Sequence, residues 1–205
     1  MVGIIDYGVG NLFSLCSSLR FVGAEAVVSS DTEVLKSADR LLLPGVGAFG
    51  DAAKKLIGSG MGDFVKAEVR AGKPLLGVCL GMQLLFEKSF EYGEHEGLGL
   101  LKGSIVGMKG RLPESLKIPH MGWNALHIER EHPLLQYVHE GDCVYFVHSF
   151  YAEGCEDSLI ASTEYGTLIT AAVARENIMG CQFHPEKSGS VGLSILRRFC
   201  EMEVG

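Results

Sequence analysis

The sequence is short of positive charge. Its 18 Lys and Arg residues are outnumbered by 25 Asp and Glu, for a formal net charge of −7, and the basic residues are scattered. No positive field is available for a phosphate backbone or an anionic lipid surface, which argues against nucleic acid or a membrane as partner. Long apolar runs are also missing. The longest, Leu75 to Phe86, is broken by two glycines and a glutamine and falls well below the ~20 residues that span a bilayer. The first residues, Met1-Val2-Gly3-Ile4-Ile5-Asp6, lack the basic region and small-residue cleavage site of a signal peptide and read as a first strand. A cytoplasmic, reducing compartment is the expectation.

Six cysteines, Cys16, Cys79, Cys143, Cys155, Cys181 and Cys200, are widely spaced, without a C-x-x-C pair or a Cys/His cluster at zinc-ligand spacing. Free thiols are expected, five of them buried or half-buried small hydrophobes. The sixth has to be judged from its surroundings.

What is present is enough chain, 205 residues, for one large domain, 1–205, with a conventional core. Up to about residue 90, β-rich runs alternate with helical patterns, as in strand-helix-strand units on a parallel sheet. Strands are predicted at Val2–Asp6, Ala26–Ser29 and Arg40–Leu43, the last running into Pro44-Gly45-Val46-Gly47. Asn11 is placed to cap a helix bearing Leu12, Leu15, Leu19 and Val22, with Gly23 as its stop. Helices follow over about Ala52–Ile57 and Asp63–Arg70. A buried strand from Leu75 then turns sharply into a helix at Cys79.

After Gly97 the period moves towards two. Strands are expected around Ser104–Met108, Asn124–Ile128, Cys143–Phe150, Leu159–Glu164, Ile169–Ala174 and Met179–Phe183, and a closing amphipathic helix over Ser190–Met202. The fold class is therefore α/β: an open, mostly parallel sheet flanked by helices, with additional antiparallel strands in the second half.

Gly77-Val78-Cys79-Leu80-Gly81 sets a nucleophile type between two glycines at a strand-to-helix turn, the mechanics of a nucleophile elbow. Glycines are needed where neighbouring backbone approaches closely, and helix amides aimed at the thiol favour its thiolate. The competing reading of such a residue is a buried structural cysteine. A thiol nucleophile needs a base, and His184-Pro185-Glu186 stands at the end of a predicted strand. There the carboxylate can orient the imidazole, and the proline stiffens the pair. The amide of Leu80 and the loop Gly45-Val46-Gly47 are candidate oxyanion donors. Glycine on either side of Val46 lets that peptide turn over at low strain.

These residues resemble the class I, triad-type glutamine amidotransferases: Gly77-Val78-Cys79-Leu80-Gly81-Met82-Gln83 together with His184-Pro185-Glu186. Within that family, Ile5–Leu12, Leu43–Phe49, Pro119-His120-Met121-Gly122-Trp123-Asn124, Tyr145–Ser149 and Phe183–Ser188 are similar to the glutaminase subunits of imidazole glycerol phosphate synthases, of histidine biosynthesis. Sister glutaminases usually have histidine where this chain has Met82. Gly189 departs from the larger polar residue common in relatives.

The resemblance implies a flavodoxin-like glutamine amidotransferase fold and a Cys79, His184, Glu186 triad that hydrolyses L-glutamine. The Val46, Gly47 and Leu80 amides would hold the oxyanion, and Gly47, Gln83, Ser149 and Phe150 would bind substrate. It implies neither metal nor organic cofactor. It also implies a heterodimer with a separate (β/α)₈ barrel cyclase subunit that receives the ammonia, because a barrel of ~250 residues does not fit in this chain. Met121, Trp123, Asn124 and Lys187 are its candidate partner-facing residues. The alternatives are a glutaminase serving another synthase, a peptidase-like amide hydrolase, or a flavodoxin-like binding module without catalysis.

Overall fold

The computed structural model describes residues 1–203. Its strands are β1 (Val2–Ile5), β2 (Ala26–Ser29), β3 (Arg40–Leu43), β4 (Leu75–Val78), β5 (Phe86–Ser89), β6 (His95–Glu96), β7 (Leu101–Gly107), β8 (His120–Ala125), β9 (His127–Ile128), β10 (Cys143–His148), β11 (Phe150–Glu153), β12 (Leu159–Glu164), β13 (Leu168–Arg175) and β14 (Ile178–Cys181). The helices are α1 (Leu12–Phe21), α2 (Thr32–Lys36), α3 (Phe49–Gly58), α4 (Met61–Arg70), α5 (Leu80–Gln83) and α6 (Gly189–Glu201). No helix among the described residues is long and apolar enough to cross a membrane.

Eight strands form the main sheet in the order β2-β1-β3-β4-β14-β13-β12-β9. Pairing is parallel from β2 as far as β14 and antiparallel beyond it. The mixed sheet anticipated from the change of period is thus one sheet whose antiparallel part is appended to its parallel part. Both faces are covered at β1, β3, β4 and β14, and this is why these strands read as continuous apolar runs, whereas on the edge strand β2 only Ala26 is buried.

Side chains alternate between the two faces. Ile4, Leu42, Leu76 and Val78 pack with Leu15 and Leu19 of α1 and Ile195, Leu196 and Phe199 of α6. Ile5, Leu41, Leu43 and Leu75 pack with Leu35, Phe49, Leu56, Val65 and Val69 from α2, α3 and α4. Two smaller sheets, β10-β8 and β11-β7-β5-β6, complete the architecture.

Several elements differ from their sequence reading for identifiable reasons. Asn11 precedes α1, but its side chain makes no capping bond; its carbonyl accepts the Leu15 amide instead. Helix α2 went unanticipated although Asp31 caps it by accepting from the Glu33 amide, because five residues carry too little periodicity to register. The helix after Cys79 is a single turn, and the apolar residues that suggested a longer one lead into β5. The run expected at Cys143–Phe150 is broken at Ser149: β10 pairs with β8 and β11 with β7, so the chain changes sheets there. The strand expected at Asn124–Ile128 begins earlier and is divided between β8 and β9. Cys143 is exposed, against the expectation of burial; the other four non-nucleophile cysteines are buried or half-buried.

Candidate active site

The carboxyl ends of three adjacent parallel strands converge where open α/β sheets place their sites. From β4 comes Cys79, whose φ of 54° and ψ of −112° put a non-glycine residue in a left-handed, strained conformation of the kind found at nucleophile elbows. The turn is held from behind, since the Cys79 amide donates to the Cys181 carbonyl at 2.8 Å.

Glycine is required on both sides of it. A Cβ on Gly77 would lie 2.7 Å from the Gly81 carbonyl oxygen, and one on Gly81 would lie 1.9 Å from the carbonyl oxygen of Leu43. Gly45 belongs to the same contact, because its Cβ would sit 2.5 Å from the Gly81 nitrogen. Gly45 is therefore there for close approach. Only Gly47, with φ of 90° and open space for 4 Å around the place a Cβ would take, supplies conformational freedom beside Val46. The Tyr7 hydroxyl, donating to the Pro44 carbonyl at 2.8 Å, ties the start of this loop to the end of β1.

From the end of β14 come His184 and Glu186. His184 Nδ1 lies 2.9 Å from Glu186 Oε1, with both side chains buried. Nε2 is the nitrogen left for Cys79. Burial opposes a charge on His184, but its interactions with the Cys79 sulfur and the Glu186 carboxylate outweigh burial and raise it to about 9. Backbone contacts fix the pair: the His184 amide donates to the Tyr145 carbonyl at 3.0 Å, and the Ser188 hydroxyl donates to the His184 carbonyl at 2.6 Å. The neighbouring buried thiol of Cys181 is pushed well above its ordinary value by burial and by Glu186. It is set to remain protonated.

Val46, Gly47, Cys79, Leu80, Gln83, Ser149, Phe150 and His184 all line one cavity of about 360 Å³, a size suited to a small ligand. Gln83 is buried, and its Nε2 donates to the Phe150 carbonyl and to Gln182 Oε1, both at 3.0 Å. The change of sheets at Ser149 is what brings Ser149 and Phe150 into the cavity wall.

Met121 and Trp123 stand on the exposed side of β8, 61 % and 56 % accessible, so the single tryptophan is not a core residue. Trp123 meets Tyr145 edge-on at 6.2 Å, and the Lys187 ammonium lies 5.9 Å over the Tyr145 ring, so these side chains form one patch. Asn124 faces inward instead. Its Oδ1 is 3.0 Å from His120 Nε2, and its Nδ2 donates to the Glu164 carbonyl at 2.9 Å.

Tyr7, Gln182, Glu91 and Tyr92 carry no local sequence signal for a role at the site. Glu91 and Tyr92 line the cavity with His148 and Pro119. Glu91 accepts the Phe49 amide at 2.6 Å at the start of α3, and burial moves its carboxyl upward. His148 Nδ1 donates to the Phe150 carbonyl at 2.8 Å. The segment after β5 has no periodicity or motif to announce it, and only the fold brings it to the cavity.

A cysteine at a strained strand-to-helix turn, a buried His–Glu pair and a glycine loop, gathered at the carboxyl ends of three interior strands, have the arrangement of a cysteine-dependent hydrolase of the open α/β class. The sequence profile of "Glutamine amidotransferase class-I" matches residues 3–202, and the chain belongs to that family. It is 53 % identical over 203 residues to "Imidazole glycerol phosphate synthase subunit HisH" of Caldanaerobacter subterraneus subsp. tengcongensis, covering 98 % of each chain. With the protein of the same name from Bacillus subtilis it shares 49 % over 205 residues, 98 % of this chain and 96 % of that one. The fold resembles a crystal structure of a glutamine amidotransferase, with a TM-score of 0.75 at 21 % identity over 98 % of this chain and 97 % of that one.

Proposed function

We propose that the chain is the glutaminase subunit of an imidazole glycerol phosphate synthase, acting as one glutamine amidotransferase domain. The observation that carries this reading is Cys79 at a strained elbow sharing one cavity with His184, Glu186 at its back. Near-full-length identity of about half to proteins named as that subunit supports the choice among glutaminases.

In the proposed reaction the Cys79 sulfur attacks the carboxamide carbon of glutamine. The Leu80 amide and the Val46–Gly47 loop amides hold the resulting oxyanion. His184, charged at neutral pH, protonates the departing nitrogen as the carbon–nitrogen bond breaks, leaving a γ-glutamyl thioester and ammonia. Now neutral, His184 takes a proton from water as it attacks the thioester; collapse expels the thiolate and releases glutamate. Gly47, Gln83, Ser149 and Phe150 form the binding wall. The partner is a (β/α)₈ barrel cyclase that consumes the ammonia, docked over the Met121, Trp123 and Lys187 patch. Asn124 takes part from beneath, through β8.

The test is to co-purify the chain with that cyclase and assay glutamine-dependent formation of imidazole glycerol phosphate, with Cys79→Ala as control. Product from ammonium salts but not from glutamine would overturn the assignment. Glutaminase rates with and without the liganded cyclase report on the loop: turnover of the Val46 peptide requires a higher rate in the complex.

A further inference from the structure

Gln182 occupies the position between Cys181 and Phe183 at the end of β14, is fully buried and has a side chain that reaches towards the nucleophile. Its Nε2 is 3.8 Å from Cys79 Sγ, within hydrogen-bond reach of sulfur. Which end of an amide faces a neighbour is set by the network around it, and here the network starts from a group that cannot change polarity. The Phe150 carbonyl oxygen only accepts. Gln83 therefore turns its nitrogen to it, at 3.0 Å. The same nitrogen lies 3.0 Å from Gln182, so Gln182 must present its oxygen there; reversed, two NH₂ groups would oppose each other in a buried site. That leaves the nitrogen of Gln182 directed at the sulfur. His148 Nδ1, also donating to the Phe150 carbonyl at 2.8 Å, anchors the chain of polarity a second time.

We propose that Gln182 is a positioning residue for the nucleophile, donating an N–H to the Cys79 sulfur so that the thiolate is held in line for attack. The proposal rests on the glutaminase reading above. A neutral thiol is a weak acceptor and a thiolate a strong one, so the contact strengthens when the sulfur carries charge. Gln182 keeps its protons throughout. The proton of the thiol goes to His184, and Gln182 meets the thiolate twice in each cycle, before attack on glutamine and again when the thioester's tetrahedral adduct expels it. A glutamine that merely filled space beside Gln83 would have no preference between the two charge states of the sulfur.

The experiment is the pH–rate profile of iodoacetamide alkylation at Cys79, followed by peptide mass spectrometry to separate it from the other five thiols, in the full chain carrying Gln182→Met or Gln182→Glu. Met keeps the length and removes both polar atoms; Glu keeps an acceptor for Gln83 and, when ionised, replaces the N–H donor by a negative charge beside the sulfur. The profile is expected to move to higher pH in both, with alkylation at neutral pH slowed about tenfold and kcat for glutamine falling while KM changes little. A profile superimposable on the unsubstituted protein's in the folded Gln182→Met variant overturns the proposal. Alkylation needs no glutamine, so a shifted profile in a chain without glutaminase activity would instead remove the functional reading and leave the contact standing.

Discussion

Gly81 and Leu43 are in a contact that admits no side chain: a Cβ on Gly81 would lie 1.9 Å from the Leu43 carbonyl oxygen. The end of β3, its glycine loop and the nucleophile elbow are thereby locked at backbone distance. Gly81→Ala is expected to separate them, costing about 1–3 kcal/mol as an overpacking strain and lowering glutaminase activity by more than tenfold. Thermal unfolding together with kcat/KM checks it. An alanine variant with unchanged activity would show that the contact does not set the geometry of the site.

Cys79 carries backbone strain, with φ of 54°. Such a conformation costs a non-glycine residue on the order of 1–3 kcal/mol, partly offset for glycine by its freer unfolded chain. Cys79→Gly is expected to abolish glutaminase activity and to melt higher than Cys79→Ala, which is equally inactive but keeps the strain. If the two variants melt together, the elbow stores no strain.

Tyr7 donates to the Pro44 carbonyl at 2.8 Å from a buried position, and burial drives its phenol upward, so it stays a donor. Tyr7→Phe removes one buried hydrogen bond, worth about 1 kcal/mol, and frees the start of the Gly45–Gly47 loop. We expect kcat to fall several-fold with little change in the pH profile. A stability loss with kcat intact would limit Tyr7 to a structural role.

How much of this was legible depended on whether the signal was local. The parallel strands β1, β3 and β4 announce themselves because both their faces are buried and their apolar runs are unbroken. That Cys79, His184 and Glu186 come together was legible because flanking glycines and a His-Pro-Glu tripeptide at strand ends are local patterns. Tyr7, Glu91 and Gln182 were not, since each acts on a residue 37, 42 or 103 positions away and is unremarkable beside its own neighbours. Asn124 shows the converse: its motif marked it for the partner-facing surface, yet the two nearest hydrogen-bonding groups, on His120 and Glu164, lie inward.

Burial holds His148 near 3, whereas an unfolded histidine titrates near 6.5. A depressed folded value means the neutral form is favoured by folding: its contribution is present above pH 6.5 and is lost as pH falls below it, until the folded group itself takes a proton near 3. Between pH 7 and pH 5 this amounts to about 2 kcal/mol. His148→Gln is expected to remove that part of the slope. Urea midpoints of the two proteins at both pH values check it, and parallel losses would mean that another group governs acid sensitivity.

His184 titrates in the opposite sense. Its folded value is raised to about 9 by the Cys79 sulfur and Glu186 against the effect of burial, so its stabilising contribution is full below pH 6.5 and disappears as pH rises through about 9. Glu186→Gln removes one of the two interactions that hold the charge. Two results are expected: the stability gap between the proteins narrows from pH 7 to pH 10, and the alkaline limb of the glutaminase profile moves to lower pH in the variant. With less charged imidazole at neutral pH, protonation of the departing ammonia should slow and kcat should drop at least tenfold. An alkaline limb that does not move would assign it to a group other than His184 and leave Glu186 with an orienting role alone.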